Sequence, residues 1–179
     1  SNGYDVSLWV RDAEQAFRIN SEGANSTYHP ELKLSANITA SDDLQSVLLD
    51  SQYILVATPS IIFEEVINRI EPYINSSIAV ISCTKGIKAN PFRTMTDIIN
   101  QHLGCKIGNK VGVLSGPNLA KEIAESKVAG TVIASENEQI TVEIKSMLSS
   151  STFKVFSSQD VQGVESVSYT HLRAHETIL

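Results

Sequence analysis

Short continuous apolar runs alternate along the chain with longer stretches in which apolar residues recur every third or fourth position. The runs YILVAT (53–58), IAVISC (78–83), VGVLSG (111–116) and GTVIAS (130–135) read as strands buried on both faces, as in a parallel sheet covered by helices. Behind them, IIFEEVINRIEPYI (61–74), TMTDIINQHL (94–103), NLAKEIAES (118–126) and EQITVEIKSML (138–148) carry the helical period, and FKVF (153–156) closes the series as a strand. Nearer the start, YDVSLWV (4–10) is a short strand that runs into RDAEQAFRIN (11–20), where Asp12 can cap a helix with Gln15 three residues later. The polar stretch 21–36, with Tyr28-His29-Pro30 inside it, is expected as a long surface connection; NITAS (37–41) is then a brief strand before the helical SDDLQSVLLD (41–50). Strand and helix alternating through short connections predict an α/β fold, a doubly wound and mainly parallel sheet. No internal repeat or low-complexity segment interrupts it.

Composition narrows the class. A chain of 179 residues supports one main domain, and 42% hydrophobic with 19% charged residues is an ordinary globular balance. No apolar run approaches the roughly 18 residues of a membrane span. The net charge of −6, with scattered basic residues, argues against nucleic acid or an anionic membrane as partner, so any anion must bind locally. Cys83 and Cys105 form no CxxC and no signal-like N-terminus precedes them, which points to a reducing cytoplasm and to both as packing residues. The Asn-x-Ser/Thr tripeptides at 25, 37 and 75 then carry no glycan.

In a doubly wound sheet, ligands bind beyond the carboxyl ends of the strands. That selects Arg11-Asp12, Thr58-Pro59-Ser60, Thr84-Lys85-Gly86 and Ser115-Gly116-Pro117-Asn118. Pro117 suits a first helical position, and Gly116 lets the backbone approach a ligand; the amides of Asn118, Leu119 and Ala120 could then hold a phosphate or oxyanion, although the same residues also make an ordinary helix cap. Lys85, a lone cation after a buried strand, could pair with a phosphate or a carbonyl oxygen gaining negative charge, or be a plain surface lysine. Arg11 stands where a dinucleotide-binding fold reads the adenosine ribose and could accept the extra phosphate of NADP, while Asp12 beside it reads as a helix cap. His29 and His102 lack partners at metal-ligand spacing and are expected as surface or loop histidines, so no metal is implied. The candidate loops hold no histidine, which disfavours a Ser-His-Asp hydrolase.

Taken together, NGYDVSLWVRD (2–12), YHPELKL (28–34), ILVATPS (54–60), CTKGI (83–87), LSGPNLAKEIA (114–124) and FKVFSSQDVQGVE (153–165) resemble, in that order, the N-terminal nucleotide-binding domain of bacterial NAD(P)-dependent glycerol-3-phosphate dehydrogenases. The most specific element is CTKGI followed downstream by SGPNLAKE. The resemblance implies a Rossmann-like domain over residues 1–165, with NAD or NADP as cofactor. It implies hydride transfer between NAD(P)H and dihydroxyacetone phosphate, giving sn-glycerol 3-phosphate for phospholipid synthesis in the cytoplasm. On the matching motifs, Arg11, Pro59, Lys85 and Ala120 are implied as cofactor contacts, and Lys85, Gly116 and Asn118 as substrate contacts. The complete protein is then free to form a homodimer.

Two departures from the family pattern stand out. The family opens with a strand and a G-x-G-x-x-G turn, and neither is matched here; after Glu165 it continues into a helical domain through a segment whose lysine is the proposed proton-transfer group, again unmatched. From Ser166 the chain reads SVSYTHLRAHETIL, in which VSYTHLRAHET (167–177) resembles a translated sequencing-library adaptor. Residues 166–179 are therefore expected to be a non-native tail, and the helical spacing of His171 and His175 loses its claim to a metal. A chain lacking those parts is expected to expose apolar sheet edges, bind cofactor weakly and be inactive. Two other readings share the fold: a 6-phosphogluconate or ketopantoate-type reductase, which the CTKGI and SGPNLAKE pair opposes, and a non-catalytic nucleotide-binding sensor.

Overall fold

The computed structural model describes residues 2–26, 29–116, 123 and 125–166. The chain divides into two compact units, Ser1–Ser51 and Gln52–Leu179.

In the first unit, β1 (Val6–Trp9) pairs in parallel with β4 (Ile38–Ser41), Val6 opposite Ile38 and Trp9 opposite Ser41. Between them run α1 (Ala13–Glu22), β2 (Ala24–Asn25) and β3 (His29–Lys33), and α2 (Leu44–Leu48) follows. Asp12 caps α1 by accepting the Glu14 amide at 2.9 Å, and Gly23 ends the helix in the left-handed conformation at φ +62°. Gln15 does not reach back to complete the cap; its amide turns toward Asn25 instead. Asn20 ties the helix to the sheet by donating to the Ala40 carbonyl and accepting the Ala40 amide, both at 2.8 Å. Ala16, Ile19 and Ala40 form the small core of this unit, with Leu8, Val10 and Leu34 against it. The stretch expected as a surface connection is more ordered than its polarity suggested: β2 and β3 form an antiparallel ladder with Ala24 opposite Lys33. Backbone pairing needs no apolar side chains, so periodicity carried no sign of it.

The second unit holds β5 (Tyr53–Val56), α3 (Ser60–Ile70), β6 (Ala79–Ser82), β7 (Ile87–Ala89), β8 (Phe92–Thr94), α4 (Met95–Ile107), β9 (Val111–Ser115), β10 (Ala129–Ala134), α5 (Glu138–Leu148) and β11 (Phe153–Ser158). Its sheet has the order β11-β10-β9-β6-β5. Strands β5, β6 and β9 are parallel, whereas β10 runs antiparallel to β9 with Val132 opposite Ser115. Helices α3 and α4 pack together, and α4 lies on β6 and β9. On the other face, Ile140 and Ile144 of α5 pack with Ala79, Ile81, Ile133 and Val155. Thr94 and Asp97 close a capping box at the start of α4, Thr94 N donating to Asp97 and Asp97 N to Thr94 Oγ1.

The strands and helices expected from periodicity are present where the residues are described. Two features differ. A β7–β8 hairpin intervenes between the Lys85 loop and α4, and the strands that the alternation assigns to one sheet fall into two, β1-β4 and β11-β10-β9-β6-β5, beside the small β2-β3 and β7-β8 ladders, because β1 and β5 each have a single strand neighbour among the described residues.

Candidate functional site

Parallel register brings Val56, Ser82 and Val113 side by side, so the carboxyl ends of β5, β6 and β9 form one ledge. Side chains alternate along strands, so Ser115 shares a face with Val113, and Ser82 lies opposite them on that same face. Ser82 and Ser115 are buried, and their hydroxyl groups, like that of Thr58 just beyond β5, have no hydrogen-bond partner among the described residues. A buried hydroxyl left without a partner carries its full desolvation cost. Three at the ends of adjacent strands mark a place where the protein leaves polar groups available.

The loop after β6 is strapped to the loop after β5. Cys83 N donates to the Val56 carbonyl at 2.8 Å, and Thr84 Oγ1 donates to the carbonyls of Val56 (3.2 Å) and Thr58 (2.8 Å). On the other side of Lys85, Gly86 takes φ +144° and lies so close to α3 that an added Cβ would stand 2.8 Å from Ser60 Cβ. Lys85 is thus held between two fixed neighbours. It is half-buried and makes no hydrogen bond or ion pair among the described residues. A half-buried ammonium without a counter-charge suits an anionic ligand.

Beyond Gly86, the hairpin is clipped to both helices through Glu64 of α3. Glu64 receives Lys88, Arg93 (NH1 to Oε1 at 3.0 Å, NH2 to Oε2 at 3.1 Å) and His102 of α4 (3.2 Å). Hydrogen bonds from Lys88, Arg93 and His102 hold the Glu64 carboxyl down at about 2. His102 is therefore a half-buried member of an ion cluster rather than a surface histidine. Cys83 behaves as the packing residue expected, since burial pushes its thiol up to about 12 and leaves no nucleophilic thiolate. Cys105 does not: it is exposed, because its position on α4 turns away from the sheet.

The other expected contacts are distributed as follows. Gly116 is half-buried directly after β9, and Pro59 is exposed at the start of α3. Arg11 is exposed in the first unit, directly before the Asp12 cap. Pro117, Asn118, Ala120, His171 and His175 lie outside the described residues. Sequence reasoning passed over the hydroxyl ledge, although it left a signal: each of the runs YILVAT, AVIS and VGVLS ends in Thr or Ser. Glu64 left none, being one acidic residue on a helix. Among the described residues no group of His, Cys, Asp and Glu side chains could hold a metal ion, and no helix is long and apolar enough to cross a membrane.

Residues 1–141 match the family model described as NAD-dependent glycerol-3-phosphate dehydrogenase N-terminus. A glycerol-3-phosphate dehydrogenase (NAD(P)+) of Acinetobacter baumannii (strain SDF) is 46% identical over 164 residues, which cover 92% of this chain and 45% of the relative. The chain thus spans about half the length of the curated relatives it matches. A crystal structure of glycerol-3-phosphate dehydrogenase from Coxiella burnetii superposes with a TM-score of 0.84 at 29% identity, covering 92% of this chain and 49% of that one. A ketopantoate reductase from Ralstonia eutropha reaches a TM-score of 0.63 at 15% identity, over 90% of this chain and 51% of that one, a likeness of fold alone.

Proposed function

The chain belongs to the NAD-dependent glycerol-3-phosphate dehydrogenase N-terminus family, and on that premise we propose that it supplies the cofactor-binding part of an oxidoreductase acting between NAD(P)H and dihydroxyacetone phosphate. The product is sn-glycerol 3-phosphate, a precursor for phospholipid synthesis in the cytoplasm, and the longer protein forms a homodimer. The observation that carries this reading is Lys85: a half-buried cation just past the carboxyl end of β6, without an ion-pair partner among the described residues, in the loop that follows the buried Ser82 hydroxyl.

When bound, the nicotinamide supplies the hydride. Lys85 pairs with the negative charge of the substrate, whether its phosphate or the carbonyl oxygen as that oxygen gains charge, and its fixed loop means little reorganisation accompanies that step. Gly116 and Asn118 take the substrate's oxygens, Arg11, Pro59 and Ala120 contact the cofactor together with Lys85, and the buried hydroxyls of the ledge exclude water while offering hydrogen bonds. The fit rests on charge and donors: a phosphate-bearing substrate in a chain of net charge −6 needs a local cation.

The test is Lys85→Ala in the protein completed to the length of its relatives, followed by NADH oxidation with dihydroxyacetone phosphate. We expect kcat/KM to fall by about 10²- to 10³-fold, the scale for removing one preorganised electrostatic contact. Turnover close to wild type in Lys85→Ala would remove the basis of this assignment. The 179-residue chain alone is expected to show little or no turnover in the same assay.

A further inference from the structure

Glu165 is the one buried residue between 161 and 166, at 8% exposure, and it is acidic. A carboxyl group taken out of water needs partners, and Glu165 finds both on Thr96 in the first turn of α4, 69 residues away. Oε1 accepts the Thr96 amide at 3.1 Å, and Oε2 accepts Thr96 Oγ1 at 2.5 Å, with Thr94 Oγ1 3.1 Å from that same hydroxyl.

Thr94 and Asp97 exchange both hydrogen bonds of a capping box, which satisfies their own two amides; Glu165 supplies the acceptor for the Thr96 amide between them, which the box leaves open. The contact therefore joins two sides: it completes the first turn of α4 and seats the segment that brings Glu165. That segment is a short helical turn, started by Asp160 accepting the Gly163 amide at 2.8 Å and the Val164 amide at 3.2 Å, and its other residues are half-buried or exposed. Little apolar burial holds it in place, and Glu165 gives it a polar anchor on α4. It also lies just past the last strand, where relatives about twice as long continue.

We propose that Glu165 is a positioning residue, seated on the N-terminal turn of α4, that fixes the path by which the chain leaves the nucleotide-binding part of the enzyme. This rests on the function proposed above. Burial raises the carboxyl group's pKa, Asp97 being the charged neighbour that adds to the effect, while the hydrogen bonds from Thr96 and Thr94 act against it. Because the docked pKa is raised, docking is fully favoured below the ordinary carboxylate range and weakens as pH rises through the raised value. Glu165→Gln, a neutral amide of the same shape, holds the contact without that dependence.

Amide exchange on the 179-residue chain is the first test. Glu165→Ala and Thr96→Val should each speed exchange across 161–166 by about tenfold, as expected for a hydrogen-bonded buried carboxyl group, and the double variant by no more than one of them. Glu165→Gln should keep protection and show no change with pH, while α5 exchange, unaltered throughout, reports an intact fold. In the protein completed to its relatives' length, Glu165→Ala should lower kcat about tenfold at unchanged NADH affinity, with Glu165→Gln restoring it. Unaltered exchange at 161–166 in Glu165→Ala, additive effects, or an unchanged kcat would each overturn the proposal. If the completed wild-type protein oxidises no NADH but exchange behaves as expected, the enzymatic reading fails and the contact stands.

Discussion

Single residues at the ledge trade stability for availability. Ser82 is fully buried and its hydroxyl has no partner among the described residues, which is unfavourable by about 1–3 kcal/mol for a buried polar group. Ser82→Ala removes that group with almost no change of shape. We expect the variant to gain up to about 1 kcal/mol in urea unfolding, and a loss of stability would show that the hydroxyl is satisfied in solution. Gly86 makes the opposite compromise: its left-handed-side φ of +144° and its closeness to Ser60 admit no side chain, and the reward is a fixed Lys85. Lysine and glycine were both legible in the sequence as loop candidates. The straps from Thr84 to the carbonyls of Val56 and Thr58 were not, since they join residues 26 and 28 positions apart.

Between elements, the Glu64 cluster decides where the β7–β8 hairpin rests. One carboxylate receives groups from β7, β8 and α4, so removing it unties the hairpin from α3 and leaves the Arg93–Gln101 hydrogen bond as its polar link to α4. The pairing lowers the Glu64 pKa to about 2, so its contribution is present above the ordinary value of 4.5 and is lost as pH falls through about 2. Glu64→Gln should therefore raise amide exchange in Ile87–Thr94 at neutral pH by up to about fivefold, the range of partly exposed ion pairs. The wild type should approach the variant's degree of protection, relative to the intrinsic exchange rate at each pH, only in strong acid. Equal protection of the hairpin in the variant and the wild type at pH 7 would assign its position to packing instead.

At the scale of the whole molecule, the two units differ in how much core they own. The buried apolar residues of the first are Ala16, Ile19, Ala40, Val47 and Leu48, whereas the second buries large side chains such as Phe63, Ile67, Met95, Ile99 and Leu103 completely. Stability per unit should follow apolar burial. Trp9 is the one tryptophan of the chain and lies in β1, so its fluorescence reports the first unit alone. We expect its urea transition to fall at least about 1 M below the far-UV circular dichroism transition, which the second unit dominates. Coincident transitions would mean that the units unfold as one.

What the sequence alone determined is the inventory: which runs become strands, which stretches become helices, and which strand-end loops carry a cation and glycines. Burial imposes a period on side chains, and a period survives in the sequence. YILVAT, IAVISC and VGVLSG show it, as do the helices that follow YILVAT and IAVISC. Tertiary structure alone decided that β10 runs against β9, that the long alternating series of strands divides between two sheets, that three terminal hydroxyls share one ledge, that Glu64 gathers three partners and that Glu165 meets Thr96. An apolar run reads alike in parallel and antiparallel pairing, and a contact between residues 69 positions apart, as between Thr96 and Glu165, leaves no periodic trace. Such contacts exist only once the chain has folded.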